Sequence, residues 1–249
     1  MSHQLASCSD LFLMSSIKRW HHEGLIYLIF SQSFDPHRHI MKDILIACEY
    51  SGIVRDEFCK LGFNAVSCDI LPSEGDPNNK HIQGDVLAVI DQPWDMIIAF
   101  PPCTHLSLSG TKYWAEKVAD GRQQAAIEFV ERIWNAKNCK HVCIENPIGA
   151  LSTRSQLKDL KEGEYKQIWQ PYEFGERAAK RTCFWLKGLP KLVIDPRASI
   201  DPDTIPYKEL NRLHLMGPSP TRAKERSRFW PKVAAQMAAQ WGAKQLAPV

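Results

Sequence analysis

The chain predicts an α/β fold of the doubly wound kind, a mostly parallel sheet with helices on both faces. Three observations carry this. Short apolar runs alternate with helical patterns from residue 41 onward, and several of those runs end at an acid or a glycine turn. One of them, Met96-Ile97-Ile98-Ala99-Phe100, leads directly into Pro101-Pro102-Cys103. In such a sheet ligands bind at the carboxyl ends of the strands, so those ends are where chemistry-bearing residues belong.

Taken in order, Ile44 to Cys48 reads as an apolar strand, Ile53 to Leu61 as an amphipathic helix, and Ala65 to Ile70 as a second strand ending in an acid. Met96 to Phe100 is the next strand. Tyr113 to Ala136 reads as one long helix with Ala126, Phe129, Val130 and Ile133 on one face, and His141 to Glu145 as a short strand that again ends at an acid. Residues 1–40 mix Ser, His and short apolar patches without a sustained period. We expect Met41 to be the functional start and 1–40 to be a poorly ordered, dispensable extension. The expected organisation continues with a catalytic core over 41–189, a short linker over 190–209, and a basic segment with a closing helix over 210–249.

A chain of 249 residues can bury a full core without disulfides. Its 31 basic and 28 acidic residues leave a charge of +3, too mild to identify a polyanionic partner without local clustering. The eight cysteines contain no Cys-x-x-Cys pair, and Cys48, Cys68 and Cys143 sit inside apolar runs. They read as small buried hydrophobes in a reducing compartment, and no metal is expected. No apolar run reaches the ~20 residues needed to span a bilayer. The expectation is a cytoplasmic monomer with no membrane association.

The strand ends hold a consistent set. Glu49-Tyr50-Ser51-Gly52 is a tight turn whose glycine would let the backbone approach a ligand. Asp69, followed by Ile70, lies seventeen residues beyond Gly52, where a carboxylate suits ribose hydroxyls. Gly84-Asp85-Val86 adds a third rim position. Each of these alone is equally well an ordinary α/β turn. In chain order, with the cysteine loop following, Tyr50, Ser51, Gly52, Asp69, Ile70, Asp85 and Val86 read as a nucleoside-cofactor pocket beside a nucleophile.

At this point the residues resemble the cytosine-5 DNA methyltransferase family, especially its small phage and prophage members. The resemblance rests on the Pro-Pro-Cys loop, with Ser107 and Gly110 four and seven positions beyond Cys103, and on Glu145-Asn146-Pro147 after the next strand. Residues 172–186, around Lys180-Arg181-Thr182, look like the family's basic strand without its glutamine, and Phe229 to Trp241 resembles the family's closing helix. Val54 and Arg55 stand where the family has a glycine pair, and Thr104 stands in place of a glutamine. About twenty residues, 190–209, stand where larger members insert a target-recognition domain.

The resemblance implies S-adenosyl-L-methionine as cofactor and DNA as partner. Cytosine C5 is a poor nucleophile until a thiolate adds at C6, so Cys103 would be the attacking group. Glu145, kept protonated by burial, would offset charge at N3, and Arg181, with Lys180 as second choice, would hold the O2 edge. A flipped or single-stranded target is required, and Arg222, Lys224, Arg226 and Arg228 alternate in a run able to follow phosphates, or simply to form a solvated loop. His105 reads as a loop residue, and the tryptophans as packing, with Trp230 a possible stacking platform. Three alternatives stay open: transfer of a modified group from a cofactor analogue, action on a free nucleotide, and a non-catalytic DNA-binding decoy of the same fold.

Overall fold

The computed structural model describes residues 43–242. The expected extension over 1–40 and the last part of the 210–249 segment lie outside the described residues. Seven strands form one sheet: β1 (Asp43–Ala47), β2 (Asn64–Asp69), β3 (His81–Gln83), β4 (Met96–Ala99), β5 (Val142–Asn146), β6 (Glu164–Trp169) and β7 (Thr182–Lys187). Their order across the sheet is β3-β2-β1-β4-β5-β7-β6. The first five are mutually parallel, and β7 runs antiparallel to both β5 and β6. This is the doubly wound, mostly parallel sheet expected, with the antiparallel strand β7 lying between β5 and β6.

The central strands are near-continuous apolar runs because both faces are covered. On one face α1 (Ile53–Lys60) contributes Val54 and Phe58, which meet Ile44, Ile46, Trp169, Phe184, Val233 and Trp241. On the other, Ile127, Val130 and Ile133 meet Leu45, Ile97, Val142 and Trp185.

The long helix expected over Tyr113 to Ala136 is two helices, α2 (Trp114–Ala119) and α3 (Arg122–Trp134). Gly121, at φ 80, takes the left-handed conformation that ends the first and opens the second, while Asp120 accepts from the Arg122 N–H at 3.0 Å. Apolar periodicity passes through such a break unchanged, so the pattern alone did not mark it. Ile127 belongs with Val130 and Ile133 in the core, while Ala126 and Phe129 lie at its edge.

Beyond the sheet come α4 (Leu151–Arg154), α5 (Tyr207–Leu210), α6 (Arg212–Leu215), α7 (Arg222–Ser227) and α8 (Pro231–Met237). Pro231 opens α8, where its missing N–H is no loss. A π-helical turn, Ala238–Gly242, then turns Trp241 inward, and its Nε1 donates to the Pro190 carbonyl at 3.0 Å. The 190–209 stretch starts close against the sheet: Gln167 of β6 accepts from the Leu192 N–H and donates to its carbonyl, both at 2.8 Å.

Candidate active site

Strand register puts two chemistry-bearing residues side by side. Ala99, the last residue of β4, pairs with Ile144 of β5, so the chain leaving β4 passes next to Glu145 and Asn146. Asn146 is fully buried and donates from Nδ2 to the Pro101 carbonyl at 2.9 Å, which fixes the start of the loop. The Cys103 carbonyl accepts from the N–H groups of Leu106 and Ser107, both at 3.0 Å, and so closes a tight turn around the thiol. Lys117 Nζ donates to the Thr104 carbonyl at 2.7 Å, and the Leu106 carbonyl accepts from Ala150 N–H at 2.8 Å. A Cβ on Gly149 would fall 2.0 Å from the Leu106 carbonyl oxygen, so glycine is what lets these two loops touch.

Glu145, at 7% exposure, is held through one oxygen. Thr182 Oγ1 donates to Oε1 at 2.6 Å, and Lys180 Nζ lies 3.9 Å from the same atom. Oε2 accepts no hydrogen bond among the described residues. Burial pushes the Cys103 thiol above its ordinary range, the Lys180 ammonium pulls it down, the Glu145 carboxylate pushes it up, and Arg226 pulls it down. Lys180 therefore acts on both Cys103 and Glu145.

Arg181 was the first choice for the cation at this site, and the structure puts Lys180 there instead. Alternation along extended chain sends Lys180 and Thr182 to one side and Arg181 to the other, where it is exposed. The neighbouring basic pair could not be resolved from composition; only the register of β7 against β5 decides between them.

The cofactor-type residues gather at the ends of β1, β2 and β3. Asp69 Oδ1 accepts from Leu71 N–H and Asp85 Oδ1 from Leu87 N–H, each at 2.9 Å. Gly84 N–H donates to the Asp69 carbonyl at 2.8 Å, so the two acids stand on adjoining strand ends. The second oxygen of each accepts no hydrogen bond among the described residues. Ile70 is 75% exposed beside Asp69, Leu87 is partly exposed beside Asp85, and Val86 is buried.

The Gly52 turn is built for a different reason from the one its sequence suggests. Gly52 has φ 70, and a Cβ there would lie 2.7 Å from both Gly75 Cα and Arg55 Nη2. The close approach is made by the protein itself rather than by a ligand. Arg55 is fully buried and donates to Ser67 Oγ, Ser73 Oγ and the Asp76 carbonyl, each at 3.1 Å, and pairs with Asp56 at 2.8 Å. It ties the segment around Gly75 onto α1.

Glu49, which the sequence shows only as the first residue of the Gly52 turn, is a buried acid. Buried at the start of α1, its Oε1 accepts from Val54 N–H at 2.7 Å and Ser51 Oγ at 3.3 Å, and its Oε2 from Arg55 N–H at 3.2 Å. Burial raises it from 4.5 to about 7, against the downward pull of those bonds. The available signal was an acid just ahead of a glycine turn that opens a helix.

The basic run is not a free string of phosphate contacts. Lys224 and Arg228 both pair with Glu74 and lie 5.3 and 5.8 Å from the centre of the Tyr50 ring, while the Tyr50 hydroxyl donates to the Lys224 carbonyl at 2.6 Å. Arg222 Nε donates to the Met216 carbonyl at 2.9 Å, and Lys180 Nζ donates to the Arg226 carbonyl at 3.4 Å. Helix α7 thus joins the Tyr50 turn to the Cys103–Glu145 cleft. His105 Nδ1 is buried without a hydrogen-bond partner, and Gln123 Nε2 donates to its carbonyl at 3.1 Å. Trp230 is buried with Arg212 over its ring at 5.3 Å, a packing role rather than a stacking platform.

Two open grooves of about 530 and 550 Å³ lie elsewhere, one at the amino ends of β1 and β2 around Asp43, Asn64 and Trp94, the other along Pro202 to Leu210. Neither contains Cys103 or Glu145, so the site is identified by convergent side chains rather than by depth. Among the described residues no helix is long and apolar enough to cross a membrane, and no three metal-ligating side chains converge.

No protein-family model and no curated protein matches the chain. Among solved structures it is similar to a protein described as a DNA modification methyltransferase encoded within a prophage of E. coli, at 18% identity over 63% of this chain and 49% of that one, with a TM-score of 0.43. It is also similar to the Entamoeba histolytica methyltransferase EhMeth, at 15% identity over 60% and 54% of the two chains, and to S. pombe Dnmt2 methyltransferase, at 15% over 58% and 48%, both with TM-scores of 0.39. The chain spans about half the length of these structures.

Proposed function

We propose that the chain is an S-adenosylmethionine-dependent methyltransferase that modifies cytosine C5 in DNA through a covalent adduct on Cys103. The observation that carries this reading is the convergence of a thiol and a buried acid on adjoining strand ends, with Glu145 Oε1 tied down by Thr182 and Oε2 left for a substrate. Packing alone demands neither group at those positions.

The rim residues fit the cofactor. Asp69 and Asp85 each retain an oxygen able to accept from ribose hydroxyls or an exocyclic amine, and Ile70 and Leu87 offer apolar surface beside them to a purine ring. Tyr50, Ser51 and Gly52 border the same edge, and Val86 is buried in the core behind it. When bound, S-adenosylmethionine supplies an electrophilic methyl group. Cys103 thiolate adds to C6, forming a carbon–sulfur bond and moving the electron pair to C5. Glu145 Oε2 holds N3 by a hydrogen bond as charge grows on the ring, and Lys180 offsets that charge from the Oε1 side. Once C5 had gained that methyl group, loss of its proton to a water base would re-form the C5–C6 double bond and break the carbon–sulfur bond, returning the Cys103 thiolate. The target base must stand outside a duplex to meet Cys103.

Trapping with an oligonucleotide that contains 5-fluorocytosine tests the reading, because fluorine in place of the C5 proton stalls the adduct. With S-adenosylmethionine present, the wild type is expected to give a covalent complex that survives denaturing electrophoresis, and Cys103→Ser none. No complex at cofactor saturation, over a range of cytosine contexts, defeats the proposal.

A further inference from the structure

We propose that Glu74 occupies a phosphate subsite: its carboxylate sits between Lys224 and Arg228 where a phosphodiester of the substrate strand binds. The inference rests on the DNA-modifying reading and adds to it the anchor for the chain flanking the target base. One carboxylate takes both cations, and the side chains of Lys224, Arg228 and Glu74 remain 41%, 38% and 29% exposed, so an incoming anion can reach them. The two cations hold the Glu74 carboxyl below its ordinary range, Lys224 foremost, as they would favour any anion placed there.

The geometry ties this cluster to the chemistry. Both cations lie against the Tyr50 ring, and the Tyr50 hydroxyl fixes the helix through the Lys224 carbonyl. Two residues further along α7, the Arg226 carbonyl accepts from Lys180, which stands 3.9 Å from Glu145. A phosphate exchanged for the Glu74 carboxylate would therefore be one short helix away from the reacting base. Two cations on one exposed acid leave the cluster with net positive charge, which a strand entering the cleft can meet with its phosphates.

The test is binding of a short single-stranded oligonucleotide, followed by fluorescence anisotropy across a series of salt concentrations without cofactor. Glu74→Gln frees both cations for the phosphodiester and is expected to tighten binding at low salt and to steepen the slope of log affinity against log salt by about 0.7, the value for one phosphate contact on a single strand. Adding Lys224→Gln and Arg228→Gln to that variant should remove the gain. Should Glu74→Gln fail to fold, Glu74→Asp, which withdraws the carboxylate by one methylene, is expected to move the slope the same way. An unchanged or shallower slope in a variant that melts like the wild type overturns the subsite. If the wild type binds and Glu74→Gln changes nothing, only this inference falls; if no variant binds at about 50 mM salt, the DNA-modifying reading falls with it.

Discussion

Thr182 Oγ1 donates a 2.6 Å hydrogen bond to Glu145 Oε1 inside the protein, one residue before β7 comes level with Asn146. The bond fixes the orientation of the acid from the strand that runs against β5. Thr182→Val keeps the shape and removes the donor, and a hydrogen bond to an ionisable group contributes about 1.5–3 kcal/mol. We therefore expect Thr182→Val to slow formation of the 5-fluorocytosine complex roughly 10- to 100-fold. Thr182→Ser should restore most of the rate, whereas a valine variant as fast as the wild type would show that Glu145 needs no such support.

Lys180 is expected to set the reactivity of Cys103. Burial raises the thiol and the nearby ammonium opposes that rise. In Lys180→Gln the opposing charge is gone, so the pH profile of iodoacetamide alkylation at Cys103 should move to higher pH, and Lys180→Arg should leave it close to the wild type. Arg181→Gln should not move it, since Arg181 faces away. A profile that shifts with Arg181 and not with Lys180 would reverse the assignment. Because other cysteines are present, the alkylated residue has to be identified by peptide mass.

How far the site could be read in advance follows from what kind of contact makes it. Cys103, Glu145 and Asp69 could be placed at strand ends because each follows an apolar strand run, and a strand end in a parallel sheet is a fixed address, whereas Asp85 was marked only by the Gly84 turn. The choice between Lys180 and Arg181 was not legible, because it depends on which way β7 alternates against β5, a long-range register invisible in a local window. The part played by Glu49 was not visible because its closest partners are backbone N–H groups of the following helix α1, which no side-chain pattern advertises. The split at Gly121 and the short β3 and β6 strands were missed for a related reason: one glycine inside a helical period, three residues in a strand, and an edge strand with polar residues give weak periodic signals. The pairing of Lys224 and Arg228 with Glu74 joins residues about 150 positions apart, so the run looked free in sequence.

Glu49 makes stability depend on pH near neutrality. Its folded value of about 7 lies above the ordinary 4.5, so its contribution is fully present below pH 4.5 and is lost as pH rises through 7. The difference corresponds to roughly 3 kcal/mol across that window. Denaturant melts of the wild type are expected to show a falling midpoint from pH 5 to pH 8. Glu49→Gln, a neutral stand-in for the protonated acid, should flatten that trend. A wild-type midpoint that rises over the same range would contradict the assignment.

Gly52→Ala separates a glycine kept for internal packing from one kept for a ligand. At φ 70 a side chain is strained, and the new Cβ would press to 2.7 Å on the Gly75 backbone and on the Arg55 guanidinium. Arg55 cannot retreat without abandoning Ser67, Ser73 and Asp76, which it joins to the first turn of α1. The variant is expected to lose about 2–4 kcal/mol of folding stability in the absence of any cofactor, from left-handed strain together with overpacking. A glycine kept only for ligand approach would behave differently: the alanine variant would melt near the wild type and lose cofactor affinity alone. Chemical denaturation of the cofactor-free protein distinguishes the two, and a loss under about 1 kcal/mol would return Gly52 to the ligand-approach role.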